Sequence, residues 1–272
     1  MRTPQLHTMK ISVSENGYEE GGKTIMNYQT TEQLIEMRLH SMKYEYQRQS
    51  ELPAMVELSF DERFSMIVNE QYVAKTNAKV KRLIKNAKLR DEAACIENID
   101  YDTSRGLKKA LIASLSDCSW ITEGTNLIIT GATGVGKTYI LSAFGREACT
   151  KGYTVKSYRT TRLLTDLTVA KGDGSYNKRM DDLVKPDLLI LDDFGMKQLD
   201  LSMTQDFLEV IEDRYHQHKS VAISAQLPVK DWPAIFKDAT IADAVLDRIV
   251  RNAHRINLKG PSRRPAIKAL SE

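Results

Sequence analysis

The stretch NLIITGATGVGKT (126–138) decides the fold of this chain. An apolar run, Leu127–Ile129, leads into a glycine-rich loop, and helical patterning begins where the loop ends. The letters GATGVGKT (Gly131–Thr138) match G-x-x-x-x-G-K-[ST], in which glycines let backbone N–H groups approach phosphate oxygens. The helix that follows directs the positive end of its dipole at the same anion. The pattern therefore predicts a strand, a phosphate-binding P-loop and a helix, in that order.

Each position of this loop has a predicted role with ATP. Lys137 reaches the β- and γ-phosphates, and the Thr138 hydroxyl ligates Mg²⁺. A chance glycine turn is the alternative, but it does not account for strand, spacing and helix occurring together. The predicted nucleotide-binding residues of the loop are Gly131, Ala132, Thr133, Gly134, Val135, Gly136, Lys137 and Thr138.

A second apolar run, Leu188–Leu191, ends in two acids, Asp192 and Asp193. A P-loop ATPase needs a carboxylate at the end of a neighbouring strand to hold Mg²⁺, and Asp192 fits this role. Asp193 is placed to orient or deprotonate the attacking water. Aspartate is one methylene shorter than the glutamate common at this position, so we expect hydrolysis to be slow or to depend on assembly. The alternative is a pair of solvated acids that cap a turn.

Two further strands frame these acids along the chain. Thr154–Tyr158 precedes them, and a later strand ends in Ser224-Ala225-Gln226. A polar side chain from Ser224 or Gln226 is predicted to contact both the γ-phosphate and the lytic water, with a simple strand-end cap as the alternative. This layout favours hydrolytic ATPases with an added central strand over small-molecule kinases.

The alternation of strands and helices from Asn126 onward predicts an α/β fold with a parallel sheet flanked by helices. The ATPase domain is predicted to cover residues 126–272. The chain has 272 residues, 42% hydrophobic and 28% charged, with a net charge of +3. Its three cysteines lack metal-ligand spacing, and no apolar run approaches the ~20 residues of a membrane span. These features predict a cytoplasmic protein that does not bind a membrane.

The part of the chain before residue 126 is predicted to contain helices only. Residues 26–90 form a small helical domain, in which Ser59 and Glu62 have capping-box spacing. Residues 1–25 are polar and are predicted to be a disordered extension, with Met26 as an alternative start. Residues 91–125 are predicted to be a connector with one short helix.

Basic residues suggest two kinds of contact. A helix over 242–252 carries Arg248, which either reaches the γ-phosphate of a neighbouring subunit or makes a surface salt bridge. The sequence pattern favours neither of these two roles. An acid-free helical stretch is suited to a DNA backbone, with a solvated helix as the alternative. Its members are Lys75, Lys79, Lys81, Arg82, Lys85, Lys88 and Arg90. Arg162 belongs to a second candidate DNA surface, around a predicted mobile loop at Gly172–Gly174. A pair of surface helices without DNA contact is the alternative, and the sequence does not favour either.

The chain resembles the IstB-like transposition helper ATPases, relatives of DnaC-type helicase loaders. The resemblance runs from about residue 26 to the C-terminus. The motifs that carry it are MRLHSM (37–42), LSFDERF (58–64), AKLR (87–90), IDYDTSRGL (99–107), NLIITGATGVGKT (126–138), LLILDDFG (188–195), SAQLPVKDW (224–232), IADAVLDRIVRNAHRI (241–256) and LKGPSRR (258–264).

The resemblance implies an AAA+ ATPase with an N-terminal helical DNA-binding domain. It also implies an ATP-dependent homo-oligomer on double-stranded DNA and a partner transposase of the retroviral-integrase type. By the same resemblance Arg248 is the arginine finger, Ser224–Gln226 the first sensor, and Arg263 or Arg264 the second sensor. The family often has Glu and Met around the serine of LKGPSRR, whereas this chain has Pro261 and Arg263.

Two other functions remain open from the sequence. A helicase loader would hold single-stranded DNA and a replicative helicase instead of a transposase. A monomeric P-loop kinase or signalling domain would form no oligomer with ATP and would show no salt-sensitive DNA binding.

Overall fold

The computed structural model describes residues 28–102 and 105–263. The predicted extension, residues 1–25, lies outside this part of the chain. Two compact units meet between Ala78 and Lys79, inside the long helix α3 (Phe60–Ala87). This division lies earlier in the chain than the predicted boundary at residue 90, because the last turns of α3 pack into the core of the second unit.

The first unit is helical, as predicted. Before α3 it contains α1 (Tyr28–Glu36) and α2 (His40–Glu51). The predicted capping box at the start of α3 is confirmed: the Ser59 N–H donates to Glu62 Oε2 at 2.8 Å, and the Glu62 N–H donates to Ser59 Oγ at 3.3 Å. These bonds satisfy two of the N–H groups that a helix start leaves without partners.

The second unit is built on five parallel strands in the order β2-β3-β4-β1-β5. The strands are β1 (Asn126–Gly131), β2 (Val155–Arg159), β3 (Leu188–Phe194), β4 (Ser220–Ala225) and β5 (Ala253–Leu258). Strand β4 lies between β1 and β3 and is the added central strand that the sequence predicted. Parallel strands end at the same edge of a sheet, so the P-loop, the two acids and the end of β4 meet there.

Helices cover both faces of this sheet, as predicted. They are α4 (Lys109–Leu115), α5 (Ser119–Thr122), α6 (Lys137–Thr150), α7 (Thr160–Asp173), α8 (Tyr176–Val184), α9 (Leu201–His216) and α10 (Ala239–Val250). Alternate strand residues point to opposite faces: Leu127 and Ile129 pack with α6, whereas Ile128 packs with α7, α9 and α10. Within the described ranges, no helix is long and apolar enough to cross a membrane.

The segment 91–125, predicted to be a connector, contributes to the core on the α6 face. Ile99, Ile112 and Trp120 are buried there. The indole N–H of Trp120 donates to the Leu115 carbonyl at 3.1 Å, which satisfies the buried donor. The segment is therefore built into the second unit.

The prediction of a mobile loop at Gly172–Gly174 is wrong. Helix α7 continues to Asp173, and Gly174 takes the left-handed conformation (φ 75°) that commonly ends a helix. Helix α8 begins two residues later, at Tyr176. The glycine here serves as a helix cap between two packed helices.

Candidate nucleotide-binding site

The glycine-rich loop joins β1 to α6. Gly134 has φ 84°, and a Cβ there would collide with Ser262. The Lys137 ammonium donates to the carbonyls of Gly131 at 2.9 Å and Ala132 at 2.8 Å. Lys137 is 7% exposed, so its charge is held inside the loop, where α6 begins. This arrangement concentrates positive potential at the point where the loop can receive phosphate.

Asp192 lies opposite the start of α6. It is buried, and its carboxylate accepts the Thr138 hydroxyl at 2.9 Å and the Ser224 hydroxyl in a short contact. The Arg90 guanidinium contacts the same carboxylate at 2.5 Å. A buried carboxylate beside hydroxyl oxygens is the donor set that Mg²⁺ prefers, and a cationic side chain already neutralises it. The residues present therefore fit a magnesium ion held between Thr138 and Asp192.

The backbone of β3 is irregular at Asp193, and this irregularity changes the direction of its side chain. The pairing of β3 with β4 shifts register between Leu191 and Phe194, and Asp193 takes φ 58°. Its N–H donates to Ser224 Oγ at 3.1 Å, which fixes this turn. A bulge next to a reaction site commonly re-aims one side chain in this way. Both carboxylates consequently reach the same guanidinium nitrogen, Arg90 Nη1, instead of pointing to opposite faces of the strand.

The Asp193 carboxylate is bound by two arginines. Arg90 Nη1 contacts its Oδ2 at 2.8 Å, and Arg159 Nε, at the end of β2, contacts the same oxygen at 3.1 Å. Burial acts to raise the pKa of Asp193, but the hydrogen bonds from Arg90 and Arg159 outweigh it and hold the pKa below its usual range. Asp193 is therefore charged, as a residue that accepts a proton must be.

The two predicted sensor residues occupy different positions. Ser224 is fully buried at the end of β4 and bonds to both acids, so it holds the acid pair together. Gln226 lies on the wall of the cleft beside the loop, with Nε2 3.0 Å from Met196 Sδ.

A cleft of about 460 Å³ adjoins the loop, and part of its wall comes from the segment 91–125. Arg105 is buried there and donates to the Val135 carbonyl at 2.9 Å and to the Asp100 carbonyl. Burial, and then the nearby charge of Arg263, lower the pKa of Arg105. Arg105 belongs to the motif IDYDTSRGL (99–107), but no pattern in the sequence indicated that it contacts the P-loop.

Arg263 lies at the same cleft. Its Nη1 pairs with Asp100 Oδ2 at 2.5 Å, and its N–H donates to the Gly134 carbonyl at 2.9 Å. The chain after β5 therefore returns to the P-loop and brings a guanidinium to it. Arg264, the other predicted second-sensor residue, lies outside the described residues.

Arg248 lies at the opposite end of the strands. Its carbonyl accepts from Asn126 Nδ2 at 3.1 Å, at the start of β1, whereas the P-loop follows the end of β1. Its guanidinium pairs with Glu212 at 2.6 Å and lines a separate cavity of about 360 Å³. In the described chain Arg248 therefore makes the salt bridge that the sequence left open as the alternative, away from the P-loop of its own chain.

The predicted DNA-binding residues fall into two groups. Those on α3, from Lys75 to Lys85, are exposed, as are Lys88 after the helix and Arg162 on α7. Arg90 instead binds the acid pair, as described above. The charge pattern could not separate these two roles, because a guanidinium suits a phosphate and a carboxylate equally well.

A family model described as "IstB-like ATP binding protein" matches residues 32–271. The chain belongs to this family. An insertion sequence ATP-binding protein of IS1162 from Pseudomonas fluorescens is 41% identical to this IstB-like chain over 204 residues, which are 75% of this chain and 88% of the relative.

Two solved structures share the fold of this IstB-like chain. A crystal structure of DnaI matches with a TM-score of 0.52 and 21% identity, over 63% of this chain and 91% of that one. The replication initiator DnaA, bound to AMPPCP and single-stranded DNA, matches with a TM-score of 0.51 and 17% identity, over 64% of this chain and 52% of that one. The IstB-like chain therefore has the AAA+ P-loop fold.

Proposed function

We propose that this IstB-like chain is a Mg²⁺-dependent ATPase that oligomerises on duplex DNA and assists a transposase in selecting or remodelling target DNA. The observation that carries the proposal is the meeting of Lys137, Thr138, Asp192 and Ser224 at one edge of the sheet. These groups supply a phosphate-binding cation, two oxygens for a metal and a hydroxyl that holds the acids. Family membership as an ATP-binding protein supports the same nucleotide.

The side chains divide the work of hydrolysis. Mg²⁺, when bound, offsets negative charge on the phosphates. Lys137 leaves its own loop carbonyls for the β- and γ-phosphates, while Thr138 and Asp192 hold the metal. Asp193 orients the lytic water and takes its proton, once its carboxylate is free of Arg90 and Arg159. Ser224 keeps the two acids in register, and Gln226 contacts the γ-phosphate from the cleft wall.

ATP acts as a bridge between subunits in this proposal. Arg248 lies too far from the P-loop of its own chain, so it acts on the nucleotide of the next subunit and stabilises transition-state charge. Its pair with Glu212 holds it until the neighbour docks. Arg263, already beside Gly134, acts as the second sensor on the nucleotide of its own chain.

DNA binding is assigned to the exposed basic residues of α3, with Arg162 as a further contact. These side chains carry positive charge without base-reading groups, so binding depends steeply on salt and little on sequence. The name of the Pseudomonas relative places that protein in an insertion sequence, which supports a transposase as the partner.

Size-exclusion chromatography with ATP, with and without duplex DNA, tests this proposal. The wild-type chain is expected to form a DNA-bound oligomer with ATP. Lys137→Ala is expected to abolish it, because phosphate loses its cation, and Asp193→Asn to accumulate it, because hydrolysis stops. An Asp193→Asn chain that binds ATP and never accumulates on duplex DNA would contradict the cycle, and a preference for single strands would favour a helicase loader.

A further inference from the structure

Arg90 is the residue whose position differs most from its predicted role. It was expected on a DNA-binding surface, yet its guanidinium lies between two carboxylates, 2.5 Å from Asp192 and 2.8 Å from Asp193. With Arg159 it balances the charge of the acid pair. Its side chain is 37% exposed, so the pair is partly screened by water.

A short, rigid path joins Arg90 to the basic helix α3. The helix ends at Ala87, and Lys88 takes the left-handed conformation (φ 53°) that turns the chain back. Leu89 is then buried against α6, the helix that begins at the P-loop. The contact is tight, since a Cβ on Gly145 of α6 would lie 2.7 Å from Leu89 Cδ2. A displacement of the end of α3 therefore moves both Leu89 and Arg90.

Arg90 contacts Oδ2 of Asp192, the carboxylate that would hold a magnesium ion. Asp192 accepts from Thr138, Ser224 and Arg90, which leaves its oxygens occupied. A divalent cation held by Asp192 would lie close to the Arg90 guanidinium, which already contacts that carboxylate. Like charges at such distances repel. Metal binding is therefore opposed while Arg90 remains on Asp192.

We infer that Arg90 is a positioning residue that couples DNA contact on α3 to the magnesium site: it holds the acid pair in the DNA-free chain and leaves Asp192 when DNA moves the end of α3. The inference rests on the proposed function, because it needs Mg²⁺-nucleotide at this site. Coupling of this kind is reciprocal, so DNA strengthens Mg²⁺ binding and Mg²⁺-nucleotide strengthens DNA binding.

The test measures the Mg²⁺ concentration at half-saturation for binding of a fluorescent ADP to the full chain, with and without duplex DNA. Arg90→Ala is expected to lower this concentration about fivefold without DNA, because a competing cation is removed. Arg90→Lys keeps the positive charge but not the forked geometry of the guanidinium, so its half-saturating Mg²⁺ concentration is expected to lie between those of wild type and Arg90→Ala. Duplex DNA lowers the value for wild type and leaves Arg90→Ala unchanged.

Lys85→Ala is the matched control, since Lys85 is an exposed cation on α3. It is expected to weaken DNA binding and to keep the wild-type Mg²⁺ value without DNA. If Arg90→Ala behaves like Lys85→Ala in both measurements, Arg90 is only a phosphate contact and the inference is overturned, while the proposed ATP site stands. If wild-type binding of ADP does not depend on Mg²⁺, the proposed function and the inference both fail.

Discussion

Replacing Ser224 by alanine removes the hydroxyl that joins the two acids. The hydroxyl donates to the buried carboxylate of Asp192 and accepts the N–H of Asp193 at 3.1 Å. A hydrogen bond to a charged group contributes about 1.5–3 kcal/mol, and a buried donor left without a partner costs about 1–3 kcal/mol. Since Thr138 and Arg90 still serve Asp192, we expect Ser224→Ala to lower the free energy of unfolding by about 2–4 kcal/mol.

Urea unfolding followed by tryptophan fluorescence measures this loss without nucleotide. The chain has two tryptophans, Trp120 and Trp232, and both are buried in the second unit, so the signal reports the unit that contains Ser224. Ser142→Ala is the matched control, because Ser142 is equally buried but makes one weak contact, with the Asp91 N–H at 3.3 Å. If the two variants lose the same free energy, the hydroxyl of Ser224 does not organise the acid pair.

Three further changes test other parts of the structure. Gly145→Ala is expected to destabilise the second unit by about 1–3 kcal/mol in the same urea assay, because its Cβ would overlap Ile190 and Leu89. Gly172→Ala, on helix α7, meets nothing within 4 Å and should be neutral or stabilising by up to about 1 kcal/mol. Because the pKa of Asp193 is lower in the folded chain, its carboxylate stabilises the fold above about pH 3.9, the unfolded value, and this stabilisation is lost as pH falls through the folded pKa. Asp193→Asn should therefore reduce the change in the free energy of unfolding between about pH 5 and pH 2. The same change in wild type and variant would exclude the ion pairs of Asp193 with Arg90 and Arg159. Ser59→Ala is expected to cost the first unit about 1 kcal/mol, measured by circular dichroism, and no loss would mean that the capping box is not formed in solution.

The strands and the P-loop could be predicted because their signals are local. Leu188–Leu191 is apolar at every position, as a strand covered on both faces must be, and its acids follow at once. The capping box at Ser59 depends on a spacing of three residues. The meeting of these elements at one edge then follows from parallel topology alone.

The remaining features depend on contacts between residues far apart in the chain. Arg90 and Asp192 are separated by 102 positions, and nothing near AKLR (87–90) indicates which anion the arginine meets. Arg105 reaches Val135 because the segment 91–125 packs on α6, and its polar composition resembles that of a linker. A pattern of charges shows where cations occur, whereas their partners are decided by tertiary packing.

The central claim is that each ATP site is shared by two subunits, and mixing two inactive variants tests it most directly. Lys137→Ala removes the phosphate cation from its own loop, and Arg248→Ala removes the guanidinium offered to a neighbour. In an equal mixture, one kind of interface keeps both groups: the loop of an Arg248→Ala subunit facing Arg248 of a Lys137→Ala subunit. ATP is expected to join the two variants there. We predict that the mixture regains ATP hydrolysis with duplex DNA although neither variant hydrolyses ATP alone. A mixture as inactive as its components, with oligomers still formed, would contradict the shared site.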